Sequence, residues 1–158
     1  MTQLLNSPLE IGIRVVALLT ALYPERSDIA RIVLLDHAVL HSSDFAGANS
    51  LHPEIPGRVG ELGVKRALIH EGITIMRRRG LITQDLTTAG IYYRASEDAL
   101  PFLESMDASY LVRLRERCGW AAATFGGLDD DDIRARLAVV FGNWAEEFEQ
   151  LNGREHHG

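Results

Sequence analysis

Residues 61–95 read ELGVKRALIHEGITIMRRRGLITQDLTTAGIYYRA, and the period of the apolar positions changes once within them. Up to Arg79, Leu62, Ile69, Ile73 and Met76 recur at helical spacing and Val64, Leu68 and Ile75 form a second stripe. The spacing predicts a helix opened by Pro56 and Gly57 and clamped between two layers. Beyond Gly80 the pattern alternates, so LITQDLT and IYYRAS are two short strands joined by a tight turn at Thr88–Gly90. Glycine within a helix costs roughly 1 kcal/mol against alanine. Close backbone packing is therefore the expected reason for Gly60, Gly63 and Gly72.

Two helices precede this segment. Ser7, Pro8 and Glu10 form a capping box at the start of the first, and Leu9, Ile13, Val16, Leu19 and Leu22 follow, with Ile11, Val15 and Leu18 on its other faces. That helix is expected to be buried nearly all round, and Pro24 ends it. Ser27 or Asp28 caps a second helix running to His41. Three helices followed by a hairpin is the order of a winged helix-turn-helix, with the third helix as the groove reader and the hairpin as the wing.

Helices resume in SEDALPFLESM, then from Ser109 to about Thr124, then after the acidic run Asp129–Asp132, which complements a positive helix end. The last helix carries Ile133, Leu137, Val140, Trp144, Phe148 and Leu151 on one face, a candidate surface for a partner or a second copy of the chain. The expected fold is mainly α: a winged helix-turn-helix-like core in residues 1–96, a C-terminal helical layer in 97–151 packed on it, and a disordered tail from 152 to 158.

With 158 residues, 46% of them hydrophobic, the chain can bury the core of one ordinary domain. No apolar run is long enough to span a bilayer, and the N-terminus lacks the pattern of a signal peptide. The single cysteine, Cys118, suits a reducing compartment, so the expected location is cytoplasmic. The net charge of −6 argues against coating nucleic acid by bulk electrostatics. Residues 57–80 nevertheless hold Arg58, Lys65, Arg66, Arg77, Arg78 and Arg79 against Glu61 and Glu71, a basic element in an acidic body.

The stretch DHAVLHSSDFAGANSLHPEIPGR, residues 36–58, concentrates ionisable groups. His37 and His41 share a helical face, and Asp44 or His52 offers a third metal ligand. No glutamate adjoins the first histidine, however, and no cysteine pair is present. Asp36 lies on the apolar stripe of its helix and is expected to be buried, where a carboxylate needs partners. Arg58 and Arg66 are the expected partners, with Ser50 and His52 as further donors. Cys118 sits on an apolar stripe, as an inert core thiol does. No nucleophile elbow or phosphate-cradling loop is present, so no catalytic residue and no cofactor are expected. Arg77, Arg78 and Arg79 complement the negative end of their helix. Together with Lys65 and Arg66 beside a wing, they are also candidate phosphate contacts.

Taken in order, NSPLEIGIRVVALLTALYP, LLDHAVLHSSD, NSLHPEIPGRVGELGVKRALIHEGITIM, RGLI, GIYYRASEDALPFL and NWAEEF resemble the middle component of ABC-three-component systems, in the group built around an S-L-H-P loop. The resemblance runs from Asn6 to about Phe148 and rests on Asp36, His41, Asp44, Ser50, Leu51, His52, Pro53, Pro56, Arg58, Glu61, Arg66 and Glu71. Ala48 departs from an expected proline, and His37 stands where an aromatic is commoner. The resemblance implies a bacterial conflict system directed at phage or plasmid DNA, in which a Rad50/SMC-like ABC ATPase, a middle component and an effector act together.

The expectation is a non-enzymatic adaptor that docks the ATPase and the effector through the S-L-H-P corner and the Trp144/Phe148 face, with the third helix and wing available to DNA. The alternatives are a stand-alone winged-helix transcriptional regulator and a metal-dependent enzyme.

Overall fold

The computed structural model describes residues 7–42 and 61–141, with side chains described for 7–42 and 64–136. Among these residues the chain forms six helices and one hairpin: α1 (Pro8–Leu22), α2 (Ile29–Leu40), α3 (Glu61–Arg78), β1 (Ile82–Thr87), β2 (Gly90–Ala95), α4 (Ala99–Glu104), α5 (Ser109–Phe125) and α6 (Asp130–Phe141). No helix among them is long and apolar enough to cross a membrane.

Helix α1 is the axis of the fold because it has no polar side to turn outward. Ser7 caps it by accepting the Glu10 amide at 3.3 Å, with Pro8 in the first turn. Val15, Val16, Leu18 and Leu19 are then all buried, packed between α3 on one side and α5 on the other. Each such side chain contributes about 2–3 kcal/mol of apolar transfer.

The approach of α1 to α3 depends on two facing glycines. A methyl on Gly72 would lie 2.8 Å from the backbone nitrogen of Gly12, and one on Gly12 would lie 2.9 Å from the carbonyl of Gly72. Close packing is thus the reason for Gly72, as its place in the helix implies; Gly60 and Gly63 lie outside the described side chains. The clamped helix needs correction, however. Ile69, Ile73 and Met76 are buried and Leu68 and Ile75 of the second stripe pack partly against the core, but Val64 is 63% exposed, so that stripe turns outward at its start.

Asp28 caps α2, accepting the Arg31 amide at 2.8 Å. Ser27 joins the hairpin instead: its N–H and C=O pair with those of Tyr93 at 2.9 and 2.8 Å, which adds a single bridge to the open edge of β2. The hairpin is antiparallel from Ile82↔Ala95 to Thr87↔Gly90 and closes through Thr88 and Ala89. Gly80, at φ +75°, turns the chain from α3 into β1. Ser96 then donates to the Gly80 carbonyl at 2.6 Å and closes the base of the ribbon.

Helix α6 is tied to the N-terminal half through Arg31. Its guanidinium meets Asp130 at 2.8 Å and donates to the carbonyls of Phe125 and Gly126 at 3.3 and 3.2 Å. Ile133 is buried beside it.

Candidate functional site

The polar centre of the molecule is assembled by three helices. Arg14 is the only charged residue between Ile11 and Leu22 on α1, and Asp36 is the only acidic one between Ile32 and Leu40 on α2. Both are carried into the core by the apolar residues around them, at 4% and 2% exposure. Such groups persist in the core only as partners. Arg14 Nε meets Asp36 Oδ1 at 3.2 Å and Nη2 meets Oδ2 at 3.2 Å, a two-pronged contact. Lys65 of α3 brings its Nζ to Asp36 Oδ2, also at 3.2 Å.

Burial pushes the Asp36 carboxyl up, but Arg14 and Lys65 overcome it and hold the group well below the usual carboxylate range. Burial works against the Arg14 charge too, and the Asp36 carboxylate keeps the guanidinium protonated. Nearby groups are silenced rather than activated. Burial pushes the Cys118 thiol up, with Asp36 adding to the shift. The Tyr110 hydroxyl is likewise raised, first by burial, with Arg14 opposing.

His37 and His41 stack with ring centroids 4.5 Å apart. Burial, the Lys65 ammonium and His41 together push His37 down to about 2, so it is neutral at physiological pH. Asp36 is thus an ionised, paired carboxylate, Cys118 a protonated thiol and His37 a neutral imidazole, and none of these three titrates near pH 7. The chemistry this centre supports is cohesion between helices. Among the described residues no three His, Cys, Asp or Glu side chains cluster as metal ligands.

The residues singled out from the sequence separate into three groups. Asp36 is buried, and among the described residues its partners are Arg14 and Lys65 rather than Arg66. Arg58 lies outside the described residues. Arg66, half-buried on α3, acts on another group: burial raises the Tyr93 hydroxyl, while the charges of Arg77 and Arg66 oppose that rise. Lys65, a candidate phosphate contact by its sequence position, has its ammonium held by the internal carboxylate.

His41 closes α2, its N–H donating to the His37 carbonyl at 3.0 Å. Arg77, Arg78 and Arg79 stand exposed at the end of α3, where phosphate could reach them. Asp44, Ser50, His52, Pro53, Trp144 and Phe148 lie outside the described residues, and of Glu61 only its place at the start of α3 is described. Sequence reasoning misses Arg14, although a lone charge in an otherwise apolar helix is the same signal that identifies Asp36.

Residues 4–147 match the family model described as ABC-three component (ABC-3C) system Middle Component 2. No curated protein and no solved structure matches the chain.

Proposed function

The chain belongs to the ABC-three component system Middle Component 2 family, and from that premise we propose that it is a non-enzymatic adaptor in a bacterial defence complex, linking a Rad50/SMC-like ATPase to an effector. The observation that carries this reading is the state of the central charges: Arg14 and Lys65 are both engaged by the one Asp36 carboxylate inside the protein. Groups spent in this way hold surfaces in place and leave none free for acid–base work. On this reading the centre fixes α2 against α3. The S-L-H-P residues, Ser50 to Pro53, lie in the segment joining those two helices and would dock one partner. The Trp144/Phe148 segment beyond α6 would dock another.

A winged helix-turn-helix arrangement is supported by the order of α1, α2, α3 and the hairpin. It is further supported by the Ser27–Tyr93 bridge, which gives the two-stranded wing a third strand position between the first two helices. In such an arrangement the exposed arginines ending α3 would touch the backbone of DNA held by the ATPase.

Replacing Arg77, Arg78 and Arg79 by glutamate tests the adaptor against the stand-alone regulator. The adaptor should still co-purify with its ATPase, while DNA retention by the complex weakens and loses part of its salt dependence. The adaptor reading fails if the wild-type protein alone binds one specific duplex with a Kd of about 10 nM or tighter at physiological salt. It fails equally if no ATPase co-purifies with the wild-type protein from its native host. The metal-enzyme alternative predicts a full equivalent of zinc, iron or manganese in untagged protein, which elemental analysis measures directly.

A further inference from the structure

The hydrogen bonds of the hairpin leave one of its edges open. Both the N–H and the C=O of Tyr93 are taken by Ser27, so they point away from β1. Gln84 stands opposite Tyr93, and in an antiparallel pair of this kind both residues turn their backbone groups outward. Alternation extends the assignment to Leu86, opposite Ile91. The order across the sheet is therefore Ser27, β2, β1, and the N–H and C=O groups of Gln84 and Leu86 form its free edge. No other backbone group among the described residues bonds to them.

Open edges of monomeric proteins are ordinarily blunted by proline, lysine, a bulge or a covering segment. Strand β1, ITQDLT, holds no proline and no lysine, and its register with β2 runs without a bulge from Ile82 to Thr87. Its one charge, Asp85, lies on the face opposite Leu86. Arg94 at 3.2 Å and Arg26 at 3.8 Å match that charge, so its repulsion of an approaching strand is offset. On the edge itself Leu86 is 73% exposed, and Ile91, its neighbour across the ribbon, is 47% exposed.

From this unprotected edge we infer that β1 pairs antiparallel with β1 of a second copy, making one four-stranded sheet from two hairpins about a two-fold axis. Three self-registers bring the outward backbone groups together, centred on Gln84, Asp85 or Leu86. Centring on Asp85 sets two carboxylates opposite each other, which is unfavourable. Centring on Gln84 drives Leu86 onto Ile82 of the other copy, a core residue at the base of its ribbon, 4% exposed. Centring on Leu86 pairs the exposed halves of the two ribbons and sets Asp85 against Thr87 of the other copy. It also lines up Ile91, Leu86, Leu86 and Ile91 in one row across the sheet, so each copy covers the exposed pair of the other. Such a contact is isologous and closes at a dimer. It goes beyond the adaptor reading and does not depend on it, because it uses neither the S-L-H-P residues nor the arginines ending α3.

The test is sedimentation velocity of the full-length chain over a concentration series. Wild type should pass from monomer to dimer and no further. Leu86→Pro removes a donor that the ribbon itself does not use, so the fold should stand. Association should weaken about tenfold or more, since two hydrogen bonds are lost per dimer. Leu86→Lys and Leu86→Glu should each stay monomeric where wild type is dimeric, because like charges then face each other, and an equal mixture of the two should dimerise again. Under mild oxidation Leu86→Cys should form a disulfide-linked dimer, with the native Cys118 buried and out of reach. Gln84→Cys should not, because its two copies are offset by four residues, about 13 Å, beyond the reach of roughly 7 Å that a disulfide allows. If Leu86→Pro fails to fold, the Lys/Glu pair decides alone, since this side chain is exposed. A wild type monomeric at every concentration would overturn the inference, as would a Lys/Glu mixture no more dimeric than its parts, or Gln84→Cys linking as readily as Leu86→Cys. A monomeric wild type whose co-purifying ATPase is lost on Leu86→Lys would assign the edge to that protein instead.

Discussion

Asp36 and Asp85 occupy the same electrostatic arrangement in two different solvents. Each carboxylate receives two cations from other parts of the chain: Asp36 from Arg14 and Lys65, at 3.2 Å each, and Asp85 from Arg94 and Arg26, at 3.2 and 3.8 Å. Exposure separates them. The Arg14 and Asp36 side chains are 4% and 3% exposed, whereas Arg26 and Arg94 are 49% and 43% exposed around a carboxylate at 26%. In the core, Arg14 and Asp36 have lost their hydration and Lys65, 20% exposed, has lost part of its own, so removing the carboxylate leaves the cations uncompensated. At the surface, water and salt replace whatever is removed. Two triads of similar geometry should therefore differ several-fold in what they contribute.

The largest effect should follow from Asp36→Ala. It leaves a buried guanidinium and a nearly buried ammonium facing each other, and unfolding in urea should show a loss of roughly 3–5 kcal/mol. The triple change Arg14→Met/Asp36→Leu/Lys65→Met should recover most of that loss, since apolar groups of similar volume carry no desolvation penalty. If Asp36→Ala alone were as stable as wild type, the centre would not be what holds α1, α2 and α3 together.

Gly72→Ala attacks the same centre through the backbone. The added carbon meets main-chain atoms of α1 at 2.8–3.0 Å, which cannot swing aside as a side chain can. Helices α1 and α3 must separate, and with them Arg14 and Lys65, which share one carboxylate. The expected loss is about 1–3 kcal/mol by urea titration. Ala at a surface position of the same helix, such as Glu71→Ala, should change stability by less than about 0.5 kcal/mol and controls for helix propensity.

The two triads also show where sequence reasoning reaches and where it stops. The first helix is legible because Ser7 and Pro8 mark its start and its apolar residues cover every face. The hairpin is legible because its period departs from that of α3 at Gly80. Asp36 is recognisable as buried from its phase alone. Its partner is not, since a helical phase states that a residue faces inward but not which neighbour it meets. Arg66 is prominent in the adjoining basic segment, but α1 packs against α3 and brings Arg14 to the carboxylate in space. The Ser27–Tyr93 bridge leaves no trace in the pattern, because one residue has no period. Gly12 escapes notice for a related reason: a single glycine in an apolar helix signals close packing only once the facing Gly72 is known.

The buried centre should also respond to pH, through His37. In the unfolded chain its pKa returns to about 6.5, and in the fold burial, Lys65 and His41 push it down to about 2. As pH falls below 6.5, the unfolded state takes up a proton that the native state refuses, so stability falls. Urea titrations between pH 7 and 5 should show unfolding coupled to uptake of up to one proton, and His37→Phe should abolish most of that uptake. The Asp36 contribution is present above its unfolded pKa of about 3.9 and fades only as pH drops below that value. The two groups therefore act in successive windows, His37 first. A pH dependence unchanged by His37→Phe would place the titrating group elsewhere.

The smallest effect should come from Asp85→Ala, the surface counterpart of the first substitution. Arg94 lies diagonally across the ribbon from Asp85, and Arg26 reaches it from the turn before α2 while stacking 5.0 Å above the Tyr92 ring. Losing the carboxylate leaves both arginines in water, and Arg26 keeps its contact with the ring. The stability change should be below about 1 kcal/mol at low salt, and should fall further in roughly 0.5 M salt, where the Debye length is only a few ångströms. The Asp36→Ala loss should persist at the same salt, because ions do not enter the core. The comparison reduces to one ratio, the loss at Asp36 over the loss at Asp85, measured at both ionic strengths. A ratio near one would show that burial is not what distinguishes the two triads, whereas a ratio that grows with salt is what desolvation requires.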